Sequence, residues 1–215
     1  MQKRIVVAID GPSGSGKSSV SRAVARHFGF AYLDTGAMYR AFAWWIMQGN
    51  PDVRTCALSI STNPDVAEVR VGAVDVTAAI RGPEVTAFVS EVARNPEIRA
   101  IAVERQRAII NAAEHGIVIE GRDITSVVAP DADVRIFLTA DLSAREARRA
   151  AEFAHDAATA TAVAAAVATR DAVDSSRTHS PLTKVDGVTE IDATHRSLED
   201  VIALVTELVE AAATQ

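Results

Sequence analysis

The stretch IVVAIDGPSGSGKSSV (residues 5–20) sets Gly11, Gly16, Lys17 and Ser18 at the spacing G-x-x-x-x-G-K-[ST], directly behind an apolar run. Glycines tolerate positive φ and lack a Cβ, so backbone N–H groups in such a loop can turn inward to face a phosphate. A helix opening at Lys17 adds the partial positive charge of its N-terminus. The Lys17 ammonium then reaches the β/γ-phosphates, and the Ser18 hydroxyl can ligate Mg²⁺. The spacing predicts a nucleoside-triphosphate site built by Gly11, Pro12, Ser13, Gly14, Ser15, Gly16, Lys17, Ser18 and Ser19. The plain alternative is a solvated Gly/Ser turn, and the flanking strand and helix patterns argue against it.

Arginine–carboxylate groups recur downstream. DTGAMYR (34–40) follows a second apolar run and opens a helix; Asp34 or Thr35 can cap it, while Tyr39 and Arg40 can simply lie along it. EGRDI (120–124) follows the apolar IVI, at the strand end where ligands of parallel sheets gather; a salt-bridged loop is the alternative. RDAVDSSR (170–177) puts Arg170, Asp174 and Arg177 on one helix face, and Arg145, Arg148 and Arg149 form a further cluster. Alone, both rows read as solvated salt-bridge faces. Arginine nevertheless suits phosphate, because it stays charged and binds bidentately. Asp10 and Glu120 are two candidates for an acidic group beside Ser18.

These side chains need a scaffold that brings distant segments together. Apolar runs over 4–9, 31–33, 117–119, 134–138 and 188–191 alternate with helical patterns over 17–28, 37–48, 96–114, 143–152, 159–173 and 198–212. That alternation predicts an α/β fold with a doubly wound, mostly parallel sheet. Residues 51–89 break the rhythm: Val69–Val71 and Val74–Val76 alternate around Gly72-Ala73 as a hairpin, with a third short strand at 58–61. We expect a core of residues 1–50 and 90–215 with a small antiparallel insertion at 51–89. From 155 to 169 the chain is almost entirely Ala, Thr and Val, favouring helix but offering little side-chain bulk to anchor it.

Bulk properties narrow the function. The chain has 215 residues, a formal net charge of −6, 48% hydrophobic and 23% charged residues, an ordinary globular composition. The acidic balance argues against nucleic acid as the main partner. The lone Cys56 permits no internal disulfide and reads as a small apolar filler. No apolar stretch reaches membrane-span length, and the first apolar run is too short for a signal peptide, so a cytoplasmic protein is expected. No asparagine is followed by lysine and no D-x-x-G occurs, which sets aside a guanine-nucleotide switch.

Taken together, IDGPSGSGKSSV, YLDTGAMYR, IRGPEV, VSEVARNPEIR, IEGRDITSVVAPDADVRIFLTA, AREARR and RDAVDSSRTHSPL resemble the bacterial cytidylate kinases among the P-loop nucleoside-monophosphate kinases. The resemblance spans nearly the whole chain. It implies transfer of a phosphoryl group from ATP, with Mg²⁺, to CMP or dCMP by a monomer without a nucleic-acid or membrane partner. It also implies that the 51–89 insertion covers the monophosphate site and that residues near 145–177 form a helical lid. Residue by residue, Thr35, Tyr39, Arg40, Arg122 and Arg177 would surround the acceptor phosphate, with Asp34 beside them. Ser90, Arg99 and Asp123 would hold cytosine, and Arg170 and Asp174 the ribose. Lys17, Arg145, Arg148 and Arg149 would stabilise the transferring group. The chain departs from the family pattern at Thr125, Ser126 and Ala129, implying looser packing beside the site. It also lacks Lys or Arg between Arg149 and Arg170, and carries Asp192-Ala193-Thr194 where the family has DTS. Rival readings are a kinase for UMP, AMP or shikimate, and a nucleotide-binding regulatory protein without turnover.

Overall fold

A computed structural model describes residues 3–151, 157–176 and 182–214. Five parallel strands make the main sheet: β1 (Ile5–Asp10), β2 (Ala31–Asp34), β6 (Gly116–Gly121), β7 (Val134–Thr139) and β8 (Thr189–Asp192). They run in the order β2-β6-β1-β7-β8. β1 is central, pairing Val7 with Val118 on one side and Val134 on the other. Every residue of β1 and β6 is buried, as expected where helices cover both faces of a parallel sheet.

Alternation along β1 assigns its side chains to two cores. Ile5, Val7 and Ile9 meet Val20 and Val24 of α1 (Lys17–Phe28) and Val201, Val205 and Val209 of α7 (Leu198–Ala213). Val6 and Ala8 face the opposite way, into a cluster with Leu33, Ile117, Ile119, Ile124 and Ile110 of α4 (Pro96–Ala112). The expected limits of α1 coincide with the observed ones; Gly16 precedes it and Gly29 ends it, both at positive φ.

The second sheet is the small antiparallel one, β3 (Leu58–Ile60), β4 (Val69–Val71) and β5 (Val74–Asp75), in that order. Val69 and Val71 point inward onto α2 (Thr35–Met47), in a third apolar cluster around Phe42 and Ile80. A helix unforeseen in the sequence, α3 (Pro83–Val92), joins that cluster through Val85, Val89 and Val92. Gly82-Pro83 looks like a chain break, yet proline at the first helical position is a start signal. A boundary drawn between residues 89 and 90 falls inside this helix. Beside the glycine loop, α5 (Leu142–Ala151) packs against α6 (Ala157–Ser175), the region expected as a lid.

Candidate active site

All the parallel strands deliver their carboxyl ends to one edge. β1 ends at Asp10 and enters the glycine loop, β2 ends at Asp34, and β6 ends at Gly121 just before Arg122 and Asp123. A cleft of about 1140 Å³ opens there, lined by Ser13 through Val20, with Arg40, Arg81, Arg94, Arg122, Arg148, Arg149 and Arg196 around it. Asp34, Glu91 and Glu120 are the acids on its wall, so cations dominate the cleft of an acidic protein. A basic concavity of this kind concentrates polyanions. A recess of about 90 Å³ adjoins it, sharing Asp34, Gly36, Ser90, Glu120 and Arg122.

The loop keeps the conformation its glycines permit. Gly14 and Gly16 lie at φ 76° and 96°. A Cβ on Gly14 would also come within 2.7 Å of the Arg145 carbonyl oxygen, so the loop rests directly on α5. Lys17 is buried and folded back, donating to the Pro12 carbonyl at 2.8 Å and to Ser15 Oγ at 3.4 Å. Burial lowers its pKa, and the charge of Arg122 adds to that; an arriving phosphate would favour the charged form.

Ser18 donates to Glu120 Oε2 at 3.0 Å, while the buried Tyr32 hydroxyl donates to Oε1. Burial raises the Glu120 pKa, the Asp34 carboxylate adds to it, and Lys17, Tyr32 and Ser18 oppose it. Asp10 is otherwise employed. Its oxygens accept from the Ile124 and Thr125 N–H groups (2.9 and 2.7 Å) and from the Thr125 hydroxyl (2.7 Å), although burial raises its pKa. Thr125 therefore does not loosen this wall as the sequence implied: its hydroxyl is buried and bonded.

The residues expected around the acceptor converge on the recess. Asp34, Thr35, Tyr39, Ser90, Arg99, Arg122, Asp123 and Asp174 all line it, and Arg40 lies in the adjoining cleft. Asp34 caps α2 by accepting from Ala37 N–H at 3.0 Å, while the Thr35 hydroxyl donates to the Glu120 carbonyl at 2.7 Å. Arg99 and Asp123 form a buried ion pair, and Arg99 also donates to the Ala93 carbonyl at 3.1 Å. Arg122 Nε donates to Asp174 Oδ2 at 2.9 Å. Arg40 donates to the Ile80 carbonyl and to Thr86 Oγ1, at 3.2 and 2.8 Å. Arg170 carries no described side chain, and Arg177 lies outside the described residues.

On the donor side Arg148 and Arg149 line the cleft, but Arg145 does not. Its buried guanidinium lies behind the loop, donating to the Ala140 and Ser13 carbonyls at 2.8 and 3.1 Å and pairing with Asp171. The family resemblance places the three arginines together at the transferring group; on the helix, Arg145 stands one turn before Arg148 and Arg149. Sequence reasoning also missed Arg81, Arg94 and Arg196 as lining residues. Arg81 stands in IRGPEV, a motif that had no role assigned, and approaches Asp34 at 3.5 Å.

A glycine loop that joins a central parallel strand to a helix, with lysine and serine at the helix start and arginines opposite, defines a P-loop kinase. A crystallised gluconokinase from Sinorhizobium meliloti 1021 shares this fold, with a TM-score of 0.56 at 13% identity over 100% of this chain and 96% of that one. A sequence model described as Cytidylate kinase matches residues 7–211. The chain is 46% identical over 216 residues to a cytidylate kinase of Streptomyces avermitilis, covering 96% of this chain and 93% of that protein. It is 41% identical over 220 residues to one of Lactiplantibacillus plantarum, covering 97% and 96%. The chain belongs to the cytidylate kinase family. Among the described residues, no helix is long and apolar enough to cross a membrane.

Proposed function

We propose that the chain transfers the γ-phosphoryl group of ATP to CMP or dCMP, giving ADP and the nucleoside diphosphate. The observation that carries this reading is the Arg99–Asp123 pair in a recess beside the phosphate-loop cleft. Cytosine presents an exocyclic amine that donates and an N3 that accepts, whereas uracil reverses both. A carboxylate at Asp123 accepts from that amine, as acidic side chains do when they read cytosine. Arg99 and Ser90 supply donors for the ring acceptors.

Phosphoryl transfer asks the protein for alignment and charge neutralisation more than for a reactive side chain. The acceptor oxygen is already anionic at neutral pH, so no general base is needed. Arg40 and Arg122 would hold the acceptor phosphate, with Tyr39, Thr35 and Arg177 beside them, and Arg170 and Asp174 would hold the ribose. Lys17, Arg148 and Arg149 would balance charge on the moving group. Ser18 and Glu120 offer paired oxygen donors suited to Mg²⁺, which favours a few carboxylate or hydroxyl ligands together with phosphates and water. When bound, the ion would neutralise phosphate charge. The antiparallel sheet with α3 would cover the acceptor, and α5 with α6 would close over the donor, excluding water. Free nucleotides as substrates fit a cytoplasmic enzyme acting as a monomer.

The deciding experiment is a coupled ADP-release assay across CMP, dCMP, UMP, AMP and shikimate. CMP or dCMP should exceed UMP by at least roughly tenfold in kcat/KM. Equal use of CMP and UMP would overturn the cytosine-reading site.

A further inference from the structure

Asp171, on α6, stands inside the motif RDAVDSSR but has no role among the residues singled out there. Its Oδ1 accepts from the Ser13 N–H at 3.0 Å, and its Oδ2 pairs with Arg145. Arg145 Nη1 in turn donates to the Ser13 carbonyl at 3.1 Å, and its Nε to Ala140 at 2.8 Å. The N–H and C=O of one loop residue are thus both held by a single ion pair, reaching across from α5 and α6. The two side chains are only 16% and 11% exposed, unlike a surface pair.

We propose that Asp171 is a positioning residue for the phosphate loop and, through it, for Lys17; the proposal rests on the donor-site reading above. The link is one peptide group. Its N–H, on Ser13, is held by Asp171, while its C=O, on Pro12, accepts from Lys17 Nζ at 2.8 Å. A peptide group is planar, so fixing the N–H fixes the direction of the carbonyl. Without the carboxylate, the peptide can rotate away and Lys17 loses the acceptor that parks its ammonium at the cleft. Arg145 would remain as a buried cation without its counter-charge, against a loop that Gly14 allows to touch the α5 backbone. Asp174, three residues further on the same helix, pairs with Arg122 on the acceptor side. One face of α6 therefore grips both halves of the site, and docking of α6 sets the geometry of the donor loop.

The test is Asp171→Ala, which removes both the acceptor of the Ser13 N–H and the partner of Arg145. We expect KM for ATP to rise and kcat to fall by about tenfold each, while KM for CMP stays within twofold. Unchanged ATP kinetics, or equal losses for both substrates, would overturn the proposal, since a general folding defect does not separate them. Turnover of CMP by the unaltered protein checks the donor-site reading separately. A second measurement needs no variant: the Ser13 amide of the nucleotide-free protein should exchange at least about a hundredfold more slowly than in an unstructured peptide. An unprotected Ser13 amide overturns the proposal whether or not the variant folds.

Discussion

Replacing Asp123 by Asn tests base reading most directly, because one substitution acts on two measurable quantities. Arg99 and Asp123 are both about 5% exposed. Removing one charge of such a pair outright costs about 3–5 kcal/mol. Asparagine still offers an oxygen to the Arg99 guanidinium, so the loss should be nearer the worth of a charge-assisted hydrogen bond, about 2 kcal/mol. In a domain of this size that lowers Tm by about 4–8 °C. Against CMP, the amide replaces a charge-assisted acceptor for the cytosine amine by a neutral one. That should cost about 1–1.5 kcal/mol, or up to about tenfold in kcat/KM. Against UMP, the amide can turn its N–H₂ toward O4, and activity should hold or rise.

The assay is differential scanning fluorimetry together with kcat/KM for both acceptors on the same preparation. Loss of folded enzyme scales both acceptors equally, so their ratio isolates the reading of the base. We expect the CMP-to-UMP ratio to shrink by about tenfold. A lowered Tm with an unchanged ratio would refute the reasoning and reduce Asp123 to a strut for Arg99.

Lys17→Ala should lower kcat by more than about a hundredfold while leaving CMP affinity within about threefold, because its ammonium meets the transferring group, not the acceptor; near-normal turnover would remove the loop from catalysis. Amides of residues 157–169 in α6, where side chains are small, should exchange quickly in the free protein and slowly with CMP and an ATP analogue present. Equal protection in both states would make α6 a fixed wall. Burial pushes the Cys56 thiol up to about 11, despite the opposing charge of Arg105. With thiolate scarce at pH 8, alkylation should run roughly a hundredfold slower in the native protein than in denaturant, and equal rates would contradict this burial.

Contiguous motifs were legible because their chemistry depends on short-range spacing. G-x-x-x-x-G-K-S defines both the loop and the start of α1, and the apolar runs lie in register around it. Asp34, Thr35, Tyr39, Ser90, Arg99, Arg122, Asp123 and Asp174, named from separate motifs, line one recess, with Arg40 in the adjoining cleft. What stayed hidden depends on how a helix is rotated about its own axis. RDAVDSSR suggests a face of Arg170, Asp174 and Arg177; of its described side chains Asp174 makes an inward contact, and so does Asp171, which that face leaves out. A helix of Ala, Thr and Val has no strong apolar stripe to announce its buried face. Arg145 shares a face of α5 with Arg148 and Arg149, but it stands one turn earlier and meets the back of the loop instead of the cleft. Helix α3 went unread because residues 51–89 were assigned whole to the antiparallel insertion, although Pro83 at the first helical position is a start signal.

Three buried or nearly buried carboxylates, Asp123, Asp174 and Asp171, each hold one arginine, respectively Arg99, Arg122 and Arg145. Such pairs gain little net stability, since desolvation offsets their attraction. Their value here is geometric. A guanidinium already fixed by a carboxylate loses little freedom when a nucleotide arrives, so less binding energy goes into ordering it. The same pairs connect elements far apart in the chain: α4 to the end of β6, the end of β6 to α6, and α6 to α5 with the phosphate loop. Disturbing any one of them should therefore reach beyond its own contact. The three effects should be separable by substrate, with base preference following Asp123, acceptor affinity following Asp174 and donor kinetics following Asp171.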